Sequence, residues 1–195
     1  MDSRVNFKFS TKVKISILVV VSVILMYFRV RVPIFPSFLD FDLSDIPIFF
    51  IGIMFSPILG VLAMGIKNIL VFLIMGSFTS GVGEFANFLM GSCFVFAASF
   101  VFNRKNDIGK YILSFLSGMI ALVVSGVLLN YFVILPVYAK VLGVGISGII
   151  GEGTTIFKFL MIIIVPYNII KSIIIFAPTV FIFSKVKKIN SRNNS

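Results

Sequence analysis

An all-α integral membrane protein, a bundle of six membrane helices with a re-entrant loop after the first, is the fold class that the sequence predicts. Hydrophobic residues make up 59% of the 195 and charged residues only 12%, and the apolar residues fall in long runs between short polar breaks. Eleven of the 17 basic residues lie in three short polar segments: Arg4, Lys8, Lys12 and Lys14; Arg104, Lys105 and Lys110; and Lys185, Lys187, Lys188 and Arg192. Third, one apolar stretch, Asp45 to about Phe55, is too short to cross a bilayer. Basic clusters beside spans mark the cytoplasmic side. Both short tails, 1–11 and 185–195, are therefore expected in the cytoplasm, flanking a single membrane domain of a multi-pass cell-membrane protein. The net charge of +10 is read as this positive-inside bias, not as a surface for nucleic acid.

The first span runs from Lys12 to Phe28. It follows basic residues as a signal peptide does, but it has no small-residue cleavage site, so it is expected to be retained. Ser16 and Ser22 are its small polar residues, which permit close helix approach. Pro33 and Pro36 break the pattern, and apolar and charged residues alternate from Phe38 to Leu43, as in a short extended segment. Asp45-Ile46-Pro47 then has the form of a helix start, with Asp as N-cap and Pro in the first turn, and Ser56-Pro57 repeats that form.

The helix between these two starts, about ten residues, rises only ~15 Å against a hydrocarbon core of ~30 Å. With Ser56-Pro57 as the cytoplasmic turn, Asp45 lies near mid-membrane, and the loop before it must dip in from outside. Non-helical backbone at that depth is tolerated only where it is buried in protein or lines a cavity. The loop is thus expected to cover an outward-facing cavity. Lys67, on the third helix Pro57 to Met75, falls at the same depth as Asp45 by the same count, and the two are expected to form a structural ion pair.

Gly76 to Gly83 is an outer turn rich in Gly and Ser, and the fourth helix, Glu84 to about Phe102, opens with Glu84 and Asn87 on one face. Glu84 either complements the helix dipole or faces a pocket. Asn87, among Phe85, Phe88 and Leu89, needs partners and is expected in the pocket. The fifth helix, about Lys110 to Leu135, brings Asn130 near its outer end, followed by Tyr131 and Tyr138, and Val137 to Thr155 is a Gly-rich outer loop.

The sixth helix, Phe157 to Phe183, carries an ammonium group in its middle. Placing Lys171 there costs roughly 2.5–3.5 kcal/mol on insertion scales, which marks it as a functional residue in need of a partner. Asn168 shares its face, and Pro166 is expected to bend the helix where the polar pair begins. Depth counting collects Asn87, Asn130, Asn168 and Lys171 in the outer half, on three helices, beneath the loop.

The chain has no histidine and no GxxxxGK[ST] loop, which excludes His-dependent triads, the commonest zinc sites and ATP hydrolysis by a P-loop. No catalytic or metal site and no cofactor are expected, and an intramembrane enzyme lacks a matched set of groups at one depth. The single cysteine, Cys93, is read as packing.

Five stretches are recognisable together: FPSFLDFDLSDIP (35 to 47), SPILGVLAMGIKN (56 to 68), GVGEFANFLMGS (81 to 92), LLNYFVILPVYA (128 to 139) and VPYNIIK (165 to 171). In order and spacing they resemble the substrate-binding S-component of energy-coupling factor (ECF) vitamin importers, most closely the riboflavin-specific branch. The resemblance implies a six-helix bundle that binds riboflavin near its outer face. It also implies a membrane coupling subunit and two cytoplasmic ATPases as partners. Residues matching Asn130, Asn168 and Lys171 approach the isoalloxazine ring in that family, and those matching Leu39, Asp40 and the start of helix four, here Glu84 and Asn87, help hold the flavin. Phe41, Tyr131, Tyr138 and Tyr167 are candidate stacking partners. In place of the family's Ala-xxx-Ala coupling patch, helix one carries Ser16 and Val20. The alternatives are another vitamin or a flavin nucleotide as ligand, or a non-transport membrane subunit. A phosphorylated ligand calls for outer-half Arg or Lys clusters, and by sequence only Lys171, with Lys158 or Lys140, is available.

Overall fold

The computed structural model describes residues 10–36, 39–77, 81–105 and 107–193. Most of the basic N-terminal tail, Phe38 at the start of the expected extended segment, and residues 78–80 of the expected outer turn lie outside them.

Helix α1 spans Thr11–Leu25, and the chain then forms a small antiparallel pair, β1 (Val30–Arg31) and β2 (Asp40–Phe41), with Val30 opposite Phe41 and Arg31 opposite Asp40. The expected extended segment thus finds its partner strand on the far side of the two prolines. Next come α2 (Asp45–Met54), α3 (Pro57–Met75) and α4 (Val82–Arg104). The Ser56 hydroxyl accepts the Leu59 N–H at 3.1 Å with Pro57 in the first turn, so the cap and proline together end α2 and start α3. Asp45, by contrast, is not an N-cap. Ser44 occupies that position, and Asp45 is the first helical residue, its carboxylate turned to lysine partners.

Helix α5 (Gly109–Leu129) continues through a π-helical segment, Asn130–Ile134, into α6 (Leu135–Leu142). After the short α7 (Ile146–Ile150), α8 (Ile156–Phe159) runs through a second π segment, Leu160–Ile164, into α9 (Val165–Asn193). The expected loop from Val137 therefore begins later, because α6 carries the helix on to Leu142. Each π segment stops two residues before a proline, Pro136 or Pro166. A proline ring collides with the carbonyl four residues back and lacks an N–H, and widening the preceding turn relieves both faults. The disturbance expected at Pro166 takes this form.

Among the described residues, four helices are long and apolar enough to cross a membrane: Pro57–Met75, Val82–Arg104, Gly109–Leu142 and Ile156–Ile189. The short α2 lies in the core of the bundle, with Ile48, Phe49 and Ile51 fully buried. Phe49 packs edge-on against Phe94 at 5.2 Å and meets the tilted ring of Phe176 at 5.6 Å, joining α2 to α4 and α9. Gly52 and Gly60 bring α2 and α3 together: a Cβ on Gly60 would lie 3.0 Å from the Gly52 Cα and 2.6 Å from Val95 Cγ1. Small residues at such a seam allow the close packing that holds membrane helices, where burial from water contributes little. The opposite face of α3, with Ile58, Leu62, Ile66 and Ile69, is exposed, as a lipid-facing surface requires.

Candidate functional site

The segment between α1 and α2 lines one side of a cavity of about 330 Å³, inside the range of about 300–1,000 Å³ typical of small-molecule sites. The hairpin places Leu39 and Asp40 in its wall, joined by Asp42 just beyond β2. The hairpin is pinned twice. Arg31 Nε donates to Asp40 Oδ1 at 3.2 Å across the strand pair, and the Tyr167 hydroxyl of α9 donates to the Asp40 carbonyl at 2.7 Å. The opposite wall comes from helices: Glu84 and Asn87 from the first turns of α4, Asn130 and Ile134 from the π segment, Tyr138 from α6, and Lys171 from α9. Met26, Met75 and Met90 add soft apolar surface.

Beneath this cavity lies a buried polar network. Asp45 and Lys67 are fully buried and 2.5 Å apart, at the equal depth counted from Ser56-Pro57. Lys67 Nζ also donates to Ser44 Oγ at 2.9 Å; Ser44 in turn donates through both its N–H and its hydroxyl to Asp42, and its carbonyl accepts the Ser22 hydroxyl of α1. Lys171 Nζ reaches the second Asp45 oxygen at 3.3 Å and donates to Asn87 Oδ1 at 2.9 Å. One carboxylate thus serves two ammonium groups from different helices. The partners of Lys171 are not its sequence neighbour Asn168 but residues of α2 and α4.

Of the residues singled out by sequence, Leu39, Asp40, Glu84, Asn87, Asn130 and Lys171 line the cavity. Three do not. Tyr131 is 48% exposed and edge-on to Phe132 at 4.8 Å, because its place in the π segment turns it outward. Phe41, in β2, is buried with its ring 4.7 Å from that of Tyr167, so it packs the hairpin against α9 instead of facing the space. Asn168 lies behind the wall; its amide donates to the Ile164 carbonyl at 2.8 Å and sits against Gly126, where a Cβ would come within 2.5 Å of Asn168 Nδ2. Asn130 repeats this pattern, donating to the Gly126 carbonyl at 2.8 Å. Both Asn130 Oδ1 and Asn168 Oδ1 are buried and accept no hydrogen bond among the described residues. Ser16 and Val20 are exposed on one outer face of α1.

Sequence reasoning passed over Arg29, Arg31 and Asp42, all of which line the cavity. The available signal was their place in the loop expected to cover it. Their presence also corrects the premise that the outer half lacks arginines, while Lys140 and Lys158 are exposed and outside the lining.

A cavity lined by several helices and by the segment between α1 and α2, within a bundle of membrane-length apolar helices, is the architecture of a membrane solute-binding protein. A family model, that of the ECF transporter substrate-specific component, matches residues 11–183, and the chain belongs to this family; it is a transporter component and not an enzyme. The riboflavin transporter FmnP of Bacillus subtilis (strain 168) is 31% identical over 176 residues, 90% of each chain. The riboflavin transporter RibU of Staphylococcus aureus (strain TCH60) is 32% identical over 167 residues, covering 84% of this chain and 82% of that one. A solved S component of a bacterial ECF transporter superposes with a TM-score of 0.73 at 28% identity, covering 91% of this chain and 95% of its own.

Proposed function

We propose that this chain captures riboflavin from outside the cell and delivers it to an ATP-driven importer, with riboflavin as cargo and not as cofactor. The observation that carries this reading is the set of unmatched hydrogen-bonding groups in the cavity wall. Asn130 has a buried amide oxygen that accepts no hydrogen bond among the described residues, while Lys171 and Asn87 each hold an N–H beyond those their protein partners take. A flavin's pyrimidine edge alternates carbonyl acceptors with an N–H donor, and this set offers donors and acceptors to match. Relatives that are riboflavin transporters, similar along most of their length, support the same ligand. Leu39 and Asp40 would hold the flavin from the hairpin, with Glu84 at the start of α4, while Phe41 would act through Tyr167.

In the same reading α1 and α2 complete six membrane helices, the loop after α1 is re-entrant, and both tails are cytoplasmic. A membrane coupling subunit and two cytoplasmic ATPases would supply the energy, with the coupling subunit meeting α1 at Ser16 and Val20. A flavin nucleotide is the second reading, favoured by one observation: Arg29 and Arg31 line the cavity, where guanidinium groups could pair with a phosphate.

Quenching of flavin fluorescence by the purified, ligand-free protein tests both. Saturation near one riboflavin per chain is expected, with Lys171→Ala weakening it roughly tenfold or more, as removal of a charged hydrogen-bonding group does, and Asn168→Ala weakening it less. Tighter quenching of the nucleotide than of riboflavin, lost in Arg29→Ala with Arg31→Ala, would select the second reading. Folded protein that quenches neither flavin would end both.

A further inference from the structure

The buried polar network closes into a ring through four helices. Asp45 of α2 pairs with Lys67 of α3 at 2.5 Å; the next residue, Asn68, accepts from Asn87 Nδ2 of α4 at 3.3 Å; Asn87 Oδ1 accepts from Lys171 of α9 at 2.9 Å; and Lys171 returns to Asp45 at 3.3 Å. Asn87 and Lys171 alone of these five face the cavity. Asn68 is 4% exposed and lies behind it, its own amide fixed by donation to the Met64 carbonyl at 2.8 Å.

We infer that Asn68 is a positioning residue for ligand recognition, one that orients the Asn87 amide and through it decides what the cavity offers. An asparagine amide can present its oxygen or its nitrogen to a ligand, and rotation by half a turn exchanges them. Here both ends are held. Lys171, a donor only, demands the oxygen, and Asn68 Oδ1, held as an acceptor because its nitrogen is committed to Met64, demands the nitrogen. The second N–H of Asn87 has no partner among the described residues and is left for the ligand. So is an N–H of Lys171, whose ammonium donates one hydrogen bond to Asn87 and is held by Asp45 as an ion pair. The ring therefore sets two neighbouring donors in the wall, suited to a ligand edge with carbonyl acceptors. A ligand edge that offered donors at the same places would meet like groups, and the buried N–H groups would go unmatched, which is costly.

This inference rests on the riboflavin reading of the cavity, and a double-mutant cycle with riboflavin as probe tests it. Asn68→Leu, close in volume and unable to accept, is expected to weaken riboflavin binding roughly tenfold, about the worth of one oriented hydrogen bond. In an Asn87→Ala background the same substitution is expected to change affinity by less than about twofold, because there is no amide left to orient. Asn68→Asp, which keeps an acceptor oxygen toward Asn87, is expected to bind more tightly than Asn68→Leu. Should Asn68→Leu not fold, Asn68→Ala takes its place. An equal loss in both backgrounds, or no loss in the native one, would overturn the inference, since a merely structural role adds independently. If the native protein binds no riboflavin, the ligand reading falls and the ring is tested without ligand. In that case the side-chain amide resonances of Asn87, in protein labelled with 15N-asparagine, shift on Asn68→Leu if Asn68 orients it and stay in place if it does not.

Discussion

Asp45 is the residue on which the buried charges depend, since it faces Lys67 at 2.5 Å and Lys171 at 3.3 Å with no exposure of its own. Removing Lys67 leaves one carboxylate paired with one ammonium; neutralising Asp45 leaves two ammonium groups without that counter-charge. Stripping a partner from a buried ion pair costs about 3–5 kcal/mol. Asp45→Asn is accordingly expected to lower thermal stability in detergent more than Lys67→Met, and to abolish riboflavin quenching along with it. Equal melting temperatures for the two variants would mean that the lysines find another counter-charge. At this scale, depth was legible in the sequence and direction was not. A helix rises a fixed distance per residue, so counting from Ser56-Pro57 puts Asp45 and Lys67 level, but rotation about the axis leaves no such trace. Tyr131 and Asn168 have the right depth and miss the cavity for that reason, and the partners of Lys171 come from helices far off in sequence.

Among the elements, starts and stops governed by local chemistry were legible, as the Ser56-Pro57 cap shows, because a cap and a proline act within one turn. The two π segments were not, although Pro136 and Pro166 hint at them, since how a helix absorbs a proline depends on its neighbours. The glycines show what neighbours demand. At Gly60 an added methyl meets the Gly52 backbone at 3.0 Å, which cannot step aside; at Gly126 it meets the end of the Asn168 side chain at 2.5 Å, which can. Gly60→Ala is therefore expected to destabilise the protein by about 1–3 kcal/mol, the usual cost of overpacking. Gly126→Ala should leave the melting temperature nearly unchanged but weaken riboflavin binding several-fold, by displacing the Asn168 amide that packs behind the cavity wall. Comparing melting curves with quenching titrations separates the two effects, and a Gly126→Ala protein that melts early yet binds normally would contradict this account.

For the molecule as a whole, membership of the substrate-specific components of ECF transporters joins the cavity to a task, and under the proposed function the cavity and the energy source would lie on opposite sides of the membrane. Charge gives the orientation to be expected. The cavity lies at the end of the bundle formed by the loop after α1, the start of α4, and α6, whereas Lys105, Lys110, Lys185 and Lys187 lie at the ends of α4, α5 and α9 remote from it in sequence. Lys and Arg beside spans are retained on the cytoplasmic side, so the cavity should face out and both tails in, which requires an even number of crossings. The four membrane-length helices meet that parity only if α1 and α2 together add two more or none. Cysteine labelling decides it. With Cys93 replaced by alanine, Glu152→Cys, in the exposed segment between α7 and α8, is expected to react with a membrane-impermeant maleimide in intact cells. Lys12→Cys and Lys187→Cys are expected to react only after the cells are opened. Labelling of Lys12→Cys but not Lys187→Cys in intact cells would leave an odd number of crossings and put α2 inside the bundle without spanning. Labelling of both tails, with Glu152→Cys protected, would turn the cavity toward the cytoplasm and make capture from outside impossible.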